Sequence, residues 1–309
     1  MGPTLQSMIH IACCFDDNFE VPFAALVTSI ARHSVSDITI HAFHGGPVER
    51  AKSTLQGSST LRIEFRNITG TLGSYAASGR SSAIRFARLR LPELLAGISR
   101  VIYLDADMIV LRDLRSLADT DLNGRPVGAV VDFPQVLAAK RHENVAAFGT
   151  VWRVDQYISG YLGLRDPNRY FNSGLLVVDL PRLAASGALE AAERLLVERQ
   201  RRFIFNDQDA LNMALAENVE LLDPRWNCQH GLLRHRKGGP ISAEIRSLLQ
   251  LYEEPWIIHF SGRKPWVSIH RRGPWDAFFW ENFFLSGIAR KENPLQAAPY
   301  LRETSAGAS

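Results

Sequence analysis

Apolar residues along the chain follow two alternating rhythms. Nearly unbroken apolar runs at residues 9–14 and 38–43, and an alternating run at 61–65, have the length and pattern of buried strands. Between the first two, Phe23, Leu26, Val27 and Ile30 recur at the spacing of one helical face. A short helix is expected at 48–55 and a longer one at 84–95, closed by Gly97. Further strands are expected at 101–110, 126–132 and 174–180, and Pro181 suits the first turn of a long helix over 182–202. Strands alternating with helices predict an α/β fold with a mostly parallel sheet and helices on both faces. Ligands of such sheets lie beyond the carboxyl ends of the strands.

Two stretches break the rhythm. Residues 133–169 show no clean period and read as a loop-rich insertion near a site. From about residue 225 to 292 the chain turns basic and aromatic, with Gly238, Gly239 and Pro240 as a break. Residues 1–7 read as a leader, 8–292 as one domain, and 293–309 as a mobile tail.

Composition narrows the class. With 309 residues and 46% hydrophobic content the chain can bury a substantial core. No run approaches the roughly 18–20 apolar residues of a membrane span, and the N-terminus lacks a secretory signal, so a cytoplasmic protein is expected. Cys13, Cys14 and Cys228 are odd in number and two are adjacent, which predicts buried thiols and no zinc–thiolate site. Net charge is only +3, yet residues 225–272 hold nine Lys or Arg against three Glu. That region suits an anionic partner, whether nucleic acid, a phosphorylated small molecule or an anionic membrane surface; a solvated basic face explains it equally well.

The run Val101-Ile102-Tyr103-Leu104-Asp105-Ala106-Asp107-Met108-Ile109-Val110 raises a chemical question. Ionised carboxylates cannot stay buried without water, a cation or a ligand. Asp105 and Asp107, two residues apart at a sheet edge, are hard oxygen donors suited to Mg²⁺ or Mn²⁺. A solvated turn is the simpler account of an isolated pair. Four other segments fall at strand or helix ends: Cys14-Phe15-Asp16-Asp17-Asn18, Tyr170-Phe171-Asn172-Ser173-Gly174, Asn206-Asp207-Gln208-Asp209, and His259-Phe260-Ser261-Gly262-Arg263-Lys264-Pro265-Trp266. Helix capping accounts for one polar residue at 206–209, not four.

Together, and in this order over about residues 9–266, the segments resemble glycosyltransferase family 8, the retaining enzymes that include glycogenin and bacterial lipopolysaccharide and lipooligosaccharide α-galactosyl- and α-glucosyltransferases. The resemblance implies an A-type glycosyltransferase fold, a Rossmann-like sheet with a smaller acceptor-side region. It implies a hexose, galactose or glucose, moved from a UDP-sugar to a glycan or lipid-linked glycan hydroxyl. It casts Asp105 and Asp107, with Ala106 between them, as the metal-binding D-x-D segment and His259 as the third ligand, a mixed set that suits Mn²⁺ better than Mg²⁺. Cys14, Asp16 and Asn18 match the uracil and ribose segment, and Arg88 a basic residue near the sugar. Asn172, Asp207 and Gln208 match donor-sugar contacts. Gly262 and Lys264 match the diphosphate segment, although Lys264 follows His259 by five positions where the family pattern has six, which leaves Arg263 as an alternative.

Two retaining routes are open: front-face attack with Gln208 supporting the sugar, or a covalent intermediate on Asp207. Two other classes compete. A phosphohydrolase of the haloacid dehalogenase type also places aspartates after an apolar strand, but it wants Thr or Val where Ile109 stands, and on the first strand. A non-catalytic sugar-nucleotide or nucleic-acid binding protein would use Arg234, Arg236, Lys237, Arg271 and Arg272, with no nucleic-acid motif beside them. The aromatic segment 275–285 reads as a helix closing the core, or as a peripheral contact on the inner face of a membrane.

Overall fold

The computed structural model describes residues 7–55, 57–71, 84–198, 202–215, 217–236, 243–267 and 273–288. The expected leader, apart from Ser7, and the expected tail lie outside these residues, as do Lys237, the Gly238–Pro240 break, Arg271 and Arg272. Twelve strands are present among them: β1 (Ile9–Phe15), β2 (Ile38–His44), β3 (Leu61–Asn67), β4 (Arg100–Leu104), β5 (Met108–Val110), β6 (Val127–Val131), β7 (Asn144–Ala147), β8 (Thr150–Arg153), β9 (Phe171–Asp179), β10 (Val219–Leu221), β11 (Cys228–Gln229) and β12 (Ile257–His259). Seven form one sheet in the order β10-β6-β9-β4-β1-β2-β3.

Every neighbouring pair in this sheet is parallel except those of β9, which runs antiparallel to both β4 and β6. That one reversal matters for the site. It brings the start of β9, residues 171–174, to the same edge as the carboxyl ends of β1, β4 and β6. Alternate residues of β1 enter two cores, Ile11, Cys13 and Phe15 on one face of the sheet and Ala12 and Cys14 on the other. All three cysteines are buried free thiols.

The apolar run 101–110 is not one strand. β4 ends at Leu104, the chain turns through Asp105, Ala106 and Asp107, and β5 joins a separate sheet of order β11-β12-β5. Both strands are buried almost completely, which explains why the run is apolar on either side of two acids. β5 pairs antiparallel with β12, and the register sets His259 opposite Met108. His259, more than 150 residues downstream, is thereby carried to the Asp pair.

Three expected elements differ in detail. The helix expected at 84–95 is a 3-10 turn (Ile84–Arg90) followed by a short α-helix (Leu91–Leu94) with Pro92 in its first turn, the one place where a missing N–H is tolerated. The long helix expected at 182–202 is two, Leu180–Ala185 and Ala188–Val197, separated at Ser186 and Gly187. The stretch 133–169, expected to be loop-rich, holds the helix Phe133–Lys140, the hairpin β7–β8 and a turn of π-helix (Tyr157–Tyr161). Phe133–Lys140 buries Pro134, Val136, Leu137, Ala138 and Ala139, so no polar face remains to mark a helical period.

The aromatic segment forms the helix Asp276–Leu285, which packs against Glu20–His33. Phe279 and Phe283 are buried, while Arg32 binds Glu281 (2.8 Å) and Asn282 (3.0 Å). Among the described residues no helix is long and apolar enough to cross a membrane.

Candidate active site

A cleft of about 470 Å³ opens at the carboxyl edge of the large sheet. Its floor is the turn between β4 and β5. The Asp105 N–H donates to the Gly174 carbonyl (2.8 Å), and the Phe260 N–H to the Asp107 carbonyl (3.0 Å), so the turn is pinned to β9 on one side and to the end of β12 on the other. From it the Asp105 and Asp107 carboxylates converge on His259. Nε2 of His259 lies 3.5 Å from Asp107 Oδ1 and 4.0 Å from Asp105 Oδ2. One donor atom from each of the three residues fits within 4.8 Å of the others. Two carboxylate oxygens and an imidazole nitrogen at this spacing fit a divalent cation with coordination positions left open to the cleft.

Cationic side chains surround the acids. The Lys264 ammonium contacts Asp107 and donates to the Phe260 carbonyl (2.8 Å). Burial favours the protonated acid at Asp107, but Lys264 and then His259 outweigh it and hold this carboxyl well below the usual range. Arg88 lies over the Tyr103 ring and divides its guanidinium between Asp105 Oδ1 (3.0 Å), Asp207 Oδ2 (2.9 Å) and the Ser173 carbonyl (2.6 Å). Burial opposes its charge; Asp105 and Asp207 restore it and raise its pKa above the ordinary value. Tyr103 adds a hydroxyl donor to Asp105 Oδ1 (2.9 Å).

Beyond the acids lies a buried amide layer. Gln208, in the first turn of the helix Asp207–Leu215, accepts from the Ser173 N–H (3.2 Å) and Asn172 Nδ2 (3.0 Å) and donates to Asp132 Oδ2 (2.9 Å) and the Tyr170 hydroxyl (3.1 Å). All four hydrogen-bonding places of its amide are filled, so its orientation is fixed. Asp209 receives the hydroxyls of Tyr157 and Tyr170 (2.6 Å each) and caps this layer from behind. Burial raises the pKa of both Asp132 and Asp209, partly offset by these donors.

The remaining expected residues are distributed unevenly. Cys14 and Asp16 line the cleft, and burial pushes the Cys14 thiol up to about 12, leaving it neutral. Asp16 caps the turn Asp17–Phe19 by accepting from the Asn18 N–H (3.0 Å); the Asn18 side chain is exposed and does not line the cleft. Gly262, at φ +90°, turns the chain so that Lys264 returns over the acids. That turn sends Arg263 the other way, onto Asp276 at the start of the aromatic helix. Lys264 lines the cleft and Arg263 is not among its lining residues. Asp132 and Asn227 were not expected. Asp132 ends the strand predicted at 126–132, so the rule that marked Asp105 could have marked it; Asn227 carries no signal of its own.

The chain is similar to known proteins. A protein-family model described as glycosyl transferase family 8 matches residues 10–270. General stress protein A of Bacillus subtilis is 26% identical over 286 residues, covering 89% of this chain and 93% of that protein. Probable galacturonosyltransferase-like 9 of Arabidopsis thaliana is 29% identical over 289 residues, covering 87% and 69%. Among solved structures, the bifunctional glycosyltransferase WbbM superposes with a TM-score of 0.78 at 22% identity over 94% of this chain and 53% of its own, so the chain spans about half of that enzyme. The galactosyltransferase LgtC, solved with donor and acceptor sugar analogues, gives 0.68 at 22% identity over 90% and 96%. The fold is the A-type glycosyltransferase fold.

Proposed function

Since the chain belongs to glycosyltransferase family 8, we propose that it transfers a neutral hexose, galactose or glucose, from a UDP-sugar to a hydroxyl of a glycan or lipid-linked glycan, with retention and with Mn²⁺ in preference to Mg²⁺. The observation that carries this reading is the cluster of Asp105, Asp107 and His259 at the floor of a cleft lined by Arg88 and Lys264. A cation there would supply charge neutralisation for the leaving diphosphate. Lys264, beside Asp107 on the Gly262 turn, adds positive charge where negative charge develops. Cys14 and Asp16 stand where the nucleoside would lie, with Asn18 on the adjoining turn. Arg88, Asp207 and Gln208 line the part of the cleft proposed for the sugar, and Asn172 and Asp132 stand behind them, holding the Gln208 amide.

The charge census supports a neutral sugar. Among the described lining residues, Asp16, Asp105, Asp107 and Asp207 stand against Arg88 and Lys264, and both cations are already engaged by carboxylates. A uronate would bring a further negative charge with no described cation to meet it. In a thermal-shift panel, UDP-glucose or UDP-galactose with Mn²⁺ should raise the melting temperature, worth about 2.7 kcal/mol at a hundredfold excess over Kd. UDP-glucuronate should shift it less than either neutral donor, and a metal-independent shift would refute the cation site.

Front-face attack is the favoured retaining route, because Asp207 is held by Arg88 at 2.9 Å and serves to orient that guanidinium. Asp207→Asn is expected to slow transfer by about 10- to 100-fold, roughly 1.4–2.7 kcal/mol. Mass spectrometry of the enzyme with donor alone should find no hexose on the Asp207 peptide; a glycosylated Asp207 would establish the covalent route instead.

Neither rival class is favoured: the family match spans most of the chain, and the acids lie between two sheets, not on a first strand. Three unpaired buried thiols fit a reducing, cytoplasmic setting. A peripheral membrane contact would use the exposed Phe278 and Leu285 of the aromatic helix.

A further inference from the structure

Two backbone N–H groups fix the direction of every hydrogen bond between the buried amides of Asn172 and Asn227 and the imidazole. A backbone N–H can only donate, so the Gly174 N–H identifies the Asn172 atom 3.1 Å away as Oδ1. That oxygen also faces Asn227 at 3.0 Å, so the Asn227 atom there is Nδ2, the donor. Oδ1 of Asn227 is then the atom 3.0 Å from His259 Nδ1, and an amide oxygen can only accept. Nδ1 therefore carries a proton, which leaves Nε2, the nitrogen facing Asp107 and Asp105, as the one available to a cation. Independently, the Ser173 N–H fixes Gln208 Oε1, which accepts from Asn172 Nδ2 and agrees with the same orientation of Asn172.

Asn227 is built to hold this geometry. It ends the turn Pro224–Asn227, immediately before β11, whose Gln229 pairs with His259 of β12. It has no exposed surface, and its carbonyl accepts from the buried Tyr252 hydroxyl (3.4 Å).

We infer that Asn227 is a positioning residue with two tasks: it holds His259 in the tautomer that can bind a cation, and it ties His259 through Asn172 to Gln208, which lines the cleft, so that one buried amide sets cation affinity and donor-sugar recognition together. This inference rests on the divalent-cation reading above. Partners behind a ligating imidazole commonly change metal affinity by about 10- to 100-fold.

Two substitutions separate the tasks. Asn227→Asp keeps an acceptor for His259 Nδ1–H but offers no donor to Asn172. Asn227→Leu removes both, and Asn227→Ala replaces it if the leucine variant does not fold, as judged by melting of the metal-free protein. Manganese affinity is read by electron paramagnetic resonance without any nucleotide, and the sugar's contribution is read as the ratio of Kd for UDP to Kd for UDP-galactose or UDP-glucose, whichever the wild type prefers. The aspartate variant should bind Mn²⁺ within about threefold of wild type, and the leucine or alanine variant about 10- to 100-fold more weakly. The sugar's contribution should shrink in both. A wild-type protein that ignores Mn²⁺ defeats the functional reading itself. If wild type binds and the leucine or alanine variant binds equally well, or the aspartate variant loses Mn²⁺ as fully as they do, the inference is overturned.

Discussion

Asp107→Asn is expected to cut hexose transfer by about 10³-fold, roughly 4 kcal/mol of transition-state stabilisation, while leaving the fold intact. The substitution preserves the shape of a side chain that is almost wholly buried and removes only its charge. Its two neighbours then lose their reason for being there. Lys264 is a quarter exposed and keeps the Phe260 carbonyl, so it can turn toward water at small cost, whereas His259 Nε2 is left facing a single carboxylate. Two consequences separate a metal role from a purely structural one. Manganese binding, measured without donor, should fall with activity, and added Mn²⁺ should no longer raise the melting temperature in the presence of UDP. A variant that transfers sugar at a tenth of the wild-type rate and still responds to Mn²⁺ would remove Asp107 from the cation site, and with it the central feature of the proposed function. Asp105→Asn should be milder, because Arg88 and Tyr103 compete for Asp105 while no described cation but Lys264 and no imidazole but His259 addresses Asp107.

How much of this was legible beforehand depended on whether a feature leaves a local mark. Two carboxylates inside an apolar run are such a mark, because burial without compensation is too costly to persist. The segments at Cys14, Asn172, Asp207 and His259 are legible for a related reason: each interrupts an apolar pattern at the end of an element, and such ends gather at one edge of a parallel sheet. Direction is not legible. An apolar run reads the same whether its strand is parallel or antiparallel, so the reversal of β9, which carries Asn172 and Gly174 to the edge, left no trace in the pattern. Nor does an apolar run show that it changes sheets, as 101–110 does. Spacing alone also left Arg263 and Lys264 equal. The turn at Gly262 separates them, sending one to Asp276 and the other to Asp107. Asn227 is the extreme case, since its role consists of contacts with residues 55 positions earlier and 32 positions later.

Gly174→Ala is the substitution that tests whether these distant residues work as one piece. A Cβ at this position would stand 2.6 Å from His259 Cε1, 2.7 Å from Asp105 Oδ2 and 3.0 Å from Asn172 Oδ1. The first two are closer than real contacts allow, and none of the three atoms belongs to a side chain free to swing aside: His259 is held by Asn227, Asp105 by Arg88 and Tyr103, and Asn172 by Gln208 and Asp132. Glycine is therefore required by close approach, with the backbone of β9 forming a wall of the proposed cation site. Overpacking of this kind costs about 1–3 kcal/mol of stability. The larger effect should fall on function, because displacing a reacting constellation by about 1 Å can cost 10²-fold in rate. Activity should drop by about that factor, Mn²⁺ affinity should fall with it, and the melting temperature of the metal-free protein should fall by about 2–12 °C, at about 2–4 °C per kcal/mol for domains somewhat smaller than this chain. Serine, which brings the same Cβ, should be no better than alanine. If the alanine variant instead loses stability while keeping Mn²⁺ affinity and sugar transfer, the clash is being relieved elsewhere, and β9 packs against a cation site that does not depend on it.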